Sequence, residues 1–271
     1  MGKIIAIVNQ KGGVAKTTTA INLAAALGLR GYQTLLLDLD PQGNATSGLG
    51  VDRREIQYCI YDLLINDAPF EAVLHHTEYR NLDLVPATIQ LAGAEVELVS
   101  AISRENKLRR SLRPQKPFYD YILIDCPPSL GLLTVNALAA ADSLLVPLQC
   151  EFYALEGLTQ LLSTYEMIRG GLNPELKIEG VLLTMFDSRT NLAAQVAEEA
   201  RAYFGAKVYD TVISRSVRLS EAPSHGVPGI FYDQKARGAE EYQALAEEFL
   251  KKQAEYGQTP SQAPGHATDS A

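Results

Sequence analysis

The sequence predicts an α/β fold, a mostly parallel sheet with helices on both faces. Three observations carry that expectation. Short apolar runs of strand length alternate along the chain with longer stretches of helical periodicity, the pattern of successive βαβ units. The first apolar run, residues 3–9, passes through a glycine-containing loop directly into a helical pattern. Two later apolar runs close on an aspartate, at Asp38 and Asp125, which suits strands whose carboxyl ends meet at one edge of the sheet, where ligands of open α/β sheets gather.

Taken in order, residues 3–9 read as the first strand, and residues 17–29 as the helix that returns across the sheet. Further strands are expected at 33–38, 82–86, 119–125, 143–147 and 178–185, each a run of Val, Ile, Leu or Tyr with a proline, glycine or acid at a boundary. Helices are expected at 88–100, 132–140, 155–169, 192–204 and 238–255, where apolar residues recur every three to four positions. Beyond them, Gly257 to Gly265 is rich in Gly, Pro, Ser and Gln and holds too little apolar surface to order itself. The organisation expected is therefore one domain over residues 1–256 and a disordered polar tail over 257–271. No internal repeat is found.

Composition sets the outer limits. With 271 residues, 46% hydrophobic and 21% charged, the chain can bury one substantial core. No stretch reaches the roughly 18 to 20 apolar residues of a membrane span, so a soluble, cytoplasmic protein without membrane attachment is expected. Cys59, Cys126 and Cys150 are odd in number and far apart, which argues against a disulfide framework or a zinc site.

The loop after the first strand reads Gln10-Lys11-Gly12-Gly13-Val14-Ala15-Lys16-Thr17-Thr18-Thr19. Glycines let backbone N–H groups turn inward around phosphate oxygens, Lys16 brings a point charge to the β- and γ-phosphates, and Thr17 offers a hydroxyl to Mg²⁺. Lys11, Gly12, Gly13, Val14, Ala15, Lys16, Thr17 and Thr18 are thus the expected nucleotide contacts. Ala15 stands where the common loop has glycine, and its methyl fits if the backbone there is right-handed. The second aspartate-ending run continues as Asp38-Leu39-Asp40-Pro41, two carboxylates one residue apart at a strand end. One of them suits Mg²⁺ and the other an attacking water, although acids here also suit the cap of a following helix. Asp125, at the end of Tyr121-Ile122-Leu123-Ile124-Asp125, suits Mg²⁺ held through water.

The segment Lys11 to Thr17 resembles the deviant Walker A loop of the ParA/MinD/nitrogenase-iron-protein group of P-loop NTPases. Gly43 to Gly50, Pro86 to Glu95 and Val217 to Gly226 resemble the chromosomal ParA proteins, also called Soj, and the likeness runs over about residues 1–248. The resemblance implies an ATPase that uses ATP and Mg²⁺ and forms a homodimer on binding ATP. It implies that Lys11 reaches across that dimer to the partner's nucleotide, that Asp40 holds the attacking water, and that Asp38 sits by the metal with Thr17 and Asp125. Lys11, Lys16 and Asp40 are then the catalytic residues. It further implies non-specific binding of double-stranded DNA, stimulation by a ParB-like centromere-binding protein, chromosome or plasmid segregation, and a place in the cytoplasm on the nucleoid.

A net charge of −8 opposes strong nucleic-acid binding, which comes mainly from Lys and Arg displacing phosphate counterions. Any DNA surface must therefore be local, with Arg189, Arg215 and Arg218 as candidates and Lys235 and Arg237 close in sequence. The run Lys107 to Arg113 is denser but reads as an exposed helix face. Relatives commonly place Pro-Arg-Asn against adenine, and the resemblance implies that Ser214, Arg215 and Ser216 take that place here as nucleotide contacts, with different hydrogen bonding available to the base. Tyr153 and Glu156 fit a dimer seam and the start of a helix equally well. Two other readings remain beside DNA partition. A ParA-like ATPase positioning a non-DNA cargo would share the whole chemistry. A MinD-like membrane-cycling ATPase would need a terminal amphipathic helix, which the polar tail lacks.

Overall fold

The computed structural model describes residues 2–151 and 154–258, apart from the side chains of 154–158 and 256–258. Seven strands form one sheet: β1 (Lys3–Ile7), β2 (Thr34–Asp38), β3 (His75–His76), β4 (Leu82–Val85), β5 (Tyr121–Asp125), β6 (Ser143–Gln149) and β7 (Lys177–Thr184). Their order across the sheet is β3-β4-β2-β5-β1-β6-β7, parallel throughout except for the antiparallel pair of β3 with β4. The expected α/β architecture is present.

Strand periodicity divides the core in two. Ile4, Ala6 and Val8 face one side with Leu35, Leu37, Ile122 and Ile124, and Ile5, Ile7, Leu36 and Leu123 face the other. Both faces are covered, which is why these strands read as unbroken apolar runs instead of alternating ones. On the second face the helix Lys16–Leu29 packs beside the long helix Arg237–Gln258, and the Thr19 and Tyr242 hydroxyls meet at 3.0 Å.

Several boundaries differ from expectation for local reasons. β1 stops at Ile7, and beyond it the Asn9 side chain donates to the Pro147 carbonyl and accepts from the Lys11 N–H. The helix expected over 88–100 is shorter, Leu91–Glu97, and tightens into a 3₁₀ turn at Leu98–Ser100. The two residues of β3 are too few to carry a periodic signal. The final helix continues to Gln258, so residues 257 and 258 of the expected tail are helical, and the remainder lies outside the described residues. Among the described residues no helix is long and apolar enough to cross a membrane.

Candidate functional site

Sheet register brings the chemistry together. β5 lies between β1 and β2, with Ile7 opposite Asp125 on one side and Asp38 opposite Asp125 on the other. The loop following β1 and the acids ending β2 and β5 therefore share the carboxyl edge of three adjacent strands, as sequence predicts. Thr184, at the end of β7, donates its hydroxyl to the Val14 carbonyl at 3.1 Å and ties a fourth strand end to the loop.

Within the loop, no protein acceptor among the described residues engages the N–H groups of Gly12, Gly13, Val14, Ala15, Lys16 or Thr17. Such unpaired amides at the start of a helix form an anion cradle, reinforced by the helix dipole. Gly13 takes φ 75° and Ala15 φ 64°, both left-handed. The condition under which the Ala15 methyl fits freely, a right-handed backbone, is not met: the loop places a left-handed residue immediately before Lys16, and alanine adopts that conformation at a cost of roughly 1–2 kcal/mol. Strain of this kind is typical of ligand loops held by their surroundings.

Lys16 is buried, and its ammonium donates to the Lys11 carbonyl at 3.0 Å. Burial lowers its pKa, opposed by the nearby Asp125, Cys126 and Asp40. Asp125 is fully buried, and neither carboxylate oxygen has a hydrogen-bond partner. Burial, followed by repulsion from Asp38, pushes its carboxyl well above the usual range. The Thr17 hydroxyl opposes that shift but forms no hydrogen bond of normal geometry with it. Two unpartnered oxygens in a buried carboxylate beside a hydroxyl are costly unless a cation completes them, and hard oxygen donors suit Mg²⁺. Asp125 and Thr17 thus fit the metal that the loop calls for.

Asp38 is differently placed. One oxygen accepts from both the N–H (2.8 Å) and the hydroxyl (2.7 Å) of Thr46, and the other accepts from the Asp40 N–H at 3.2 Å. Burial still raises its pKa to about 6, against the Thr46 bonds. Its position beside Asp125 agrees with a place near the metal, yet its oxygens are occupied in anchoring the helix Asn44–Gly48, so the helix-capping reading of this acid is partly realised. Asp40 uses one oxygen for the Gln42 N–H at 2.9 Å.

Lys11 forms an ion pair with Glu151 at 3.2 Å, and Glu151 also approaches Arg215 at 3.7 Å. Sequence reasoning assigned no role to Thr46 or Glu151. The strand-end position of Glu151 after β6 was the available signal, whereas nothing local marks Thr46 as the partner of Asp38. Ser214 gives both its N–H and its hydroxyl to Glu241, each at 2.7 Å, and Ser216 caps the helix Val217–Glu221. The segment stands beside the end of β7 through a bridge between Phe186 and Ser214. Ser214 is thereby committed to Glu241. Arg189 pairs with Asp187 at 2.7 Å, and Arg218 pairs with Glu221 at 3.0 Å and Asp233 at 3.4 Å. Each candidate DNA-contacting arginine thus already faces a carboxylate. Tyr153 and the side chain of Glu156 lie outside the described residues.

Comparison with known proteins agrees with this geometry. A family model described as an AAA domain matches residues 2–178. The sporulation initiation inhibitor protein Soj of Bacillus subtilis is 62% identical over 248 residues, covering 92% of this chain and 98% of that protein. The chromosome partitioning protein ParA of Myxococcus xanthus is 60% identical over 252 residues, covering 93% and 89%. Among solved structures, cobyrinic acid a,c-diamide synthase from Mycobacterium smegmatis with bound ADP and magnesium superposes with a TM-score of 0.83 at 37% identity, covering 97% of this chain and 100% of that one. With its loop, its strand-end acids and these relatives in agreement, the chain belongs to the Soj/ParA family of chromosome-partitioning ATPases, working with ATP and Mg²⁺.

Proposed function

We propose that ATP and Mg²⁺ close two copies of this chain face to face, with Lys11 of each crossing to the other's terminal phosphate. The observation that carries the reading is the setting of Lys11. Lys16 occupies the buried place inside its own subunit, while Lys11 lies at the mouth of the loop in a partly exposed pair with Glu151. Pairs of that kind contribute at most about 1 kcal/mol, so a partner's phosphate readily replaces Glu151.

Hydrolysis then rests on position and electrostatics, without a covalent intermediate. Lys16 and the loop amides hold the β- and γ-phosphates, Asp40 uses its remaining oxygen to orient water, and Lys11 completes charge compensation from the partner. Thr17 and Asp125, with Asp38 close by, would hold Mg²⁺, which would supply charge neutralisation at the phosphates. Asp38, through Thr46, connects this centre to the helix Asn44–Gly48, which is suited to sense the nucleotide.

The ATP dimer binds double-stranded DNA without sequence preference through Arg189, Arg215 and Arg218, and a ParB-like centromere-binding protein stimulates turnover. The cycle thereby segregates chromosomes or plasmids over the nucleoid, in the cytoplasm. Two copies of a modest patch give avidity that one copy lacks, so DNA retention follows the ATP state. Retention should appear with ATP and Mg²⁺, disappear with ADP, and fall steeply with salt; a flat salt response contradicts a phosphate-led mode. The pairing of all three arginines with acids supports a second reading, a positioning ATPase with a non-DNA cargo. Turnover measured with DNA and a ParB-like protein separates the two, since the second reading expects no response to either.

A further inference from the structure

At the amino-terminal edge of the sheet, about one strand length or roughly 15 Å from the phosphate loop, lies a concave pocket of about 740 Å³. Lys3, Arg109, Arg113, Lys116, Lys177 and Lys207 line it, along with the carboxylates Asp142, Glu175 and Glu179. Two of the acids are already engaged. Asp142 holds Lys116 at 2.7 Å and the Ile4 N–H at 2.8 Å, and Glu179 holds Lys3 at 2.5 Å and accepts from the Ser143 hydroxyl.

Four cations and one carboxylate remain. Arg109 and Lys207 donate to the Leu172 and Ile178 carbonyls, at 3.3 Å and 3.0 Å, which orients them without neutralising them. Arg113 and Lys177 have no ion pair among the described residues, and Glu175 is the only acid left opposite them. On a chain of net charge −8 this is a local excess of positive charge in a concavity, where fields are focused and counter-ions are drawn in.

The basic run at Lys107 explains the arrangement. Leu108 and Leu112 are fully buried and fix the helix Lys107–Leu112 to the core, while Lys107 pairs with Asp67. Arg109 and Arg113, four residues apart, consequently share the face that lines the pocket. Guanidinium forks match phosphate oxygens in pairs. The volume lies within the usual range for small-molecule sites.

We propose that this pocket binds a compact oligophosphate, a small molecule with two or three linked phosphate groups, separately from the ATP in the loop. Such chemistry is shared by inorganic polyphosphate and by nucleotides. DNA presents its phosphates on a convex surface and does not enter the concavity.

The test uses the full-length protein with its loop saturated by ADP and Mg²⁺, titrated by calorimetry with inorganic tripolyphosphate and separately with GTP at constant free Mg²⁺. Saturable binding of one tripolyphosphate per chain is expected. Arg113→Ala with Lys177→Ala should weaken it by about ten-fold or more while basal ATPase activity and the melting curve stay unchanged. Tighter binding of GTP identifies a nucleotide as the ligand, and equal or weaker binding identifies the phosphate chain; both support the site. No saturable binding, equal binding by the double variant, loss of binding in Lys16→Ala, or displacement by a short DNA duplex would each overturn the proposal.

Discussion

The phosphate edge and the arginine surface handle charge in opposite ways. At the carboxyl edge of the sheet, Asp125 is fully buried with both oxygens unpartnered, and Lys16 is buried against its own loop. On the surface, Arg189 is 86% exposed and already paired with Asp187. Burying a charge without partners is among the costliest local arrangements in a protein, whereas an exposed pair changes stability little in either direction. The first arrangement suits a site that takes a cation, and the second needs no ligand at all. Unsatisfied burial therefore identifies function more sharply than a count of surface arginines.

That contrast breaks most visibly at Lys16. Lys16→Ala should lower single-turnover ATP hydrolysis by about two to three orders of magnitude, the usual effect of removing one preorganised charge stabiliser. Asp125→Asn sharpens the contrast because its two effects have opposite signs. Without nucleotide and Mg²⁺ the variant should be more stable near neutral pH, by about 1–3 kcal/mol, and should lose that advantage at acid pH, since the raised pKa of Asp125 is the cost of charging a buried carboxyl and the amide carries no charge. With both ligands it should require more Mg²⁺ for the same turnover, and a lower melting point in the ligand-free state would refute the desolvation argument.

Smaller effects follow outside the charge cluster. Ala15→Gly relieves the left-handed alanine and should stabilise the ligand-free protein by about 1 kcal/mol in a denaturant titration. Smallest is Arg189→Gln, which should leave unfolding free energy within about 0.5 kcal/mol of the parent while reducing DNA retention by the ATP form. A destabilisation well beyond that range would mean that the exposed pair with Asp187 carries structural weight.

Strand-end acids and a glycine loop were legible because each follows from a short local rule, a strand terminated by the residue type that its edge requires. The left-handed Ala15 was not, since a residue type states which conformations are permitted and not which one a loop imposes. Thr46 was hidden, because it holds Asp38 across a turn of the chain, and Glu151 offered only its place just beyond β6 as a signal of its contact with Lys11. The run at Lys107 read correctly as an exposed helix face, but its approach to Lys177 and Lys207 depends on the tertiary fold. Helix 88–100 was overextended because apolar spacing continues through residues that tighten into a 3₁₀ turn.

If Lys11 completes the site of a second copy, dimerisation must depend on both the nucleotide and this side chain. Sedimentation equilibrium at micromolar concentration, with a non-hydrolysable ATP analogue and Mg²⁺, tests it most directly. The expected result is twice the 29.5 kDa chain mass with the analogue, a monomer with ADP, and a monomer under both conditions for Lys11→Ala. A parent protein that stays monomeric at saturating analogue, or a Lys11→Ala variant that dimerises as well as the parent, contradicts it.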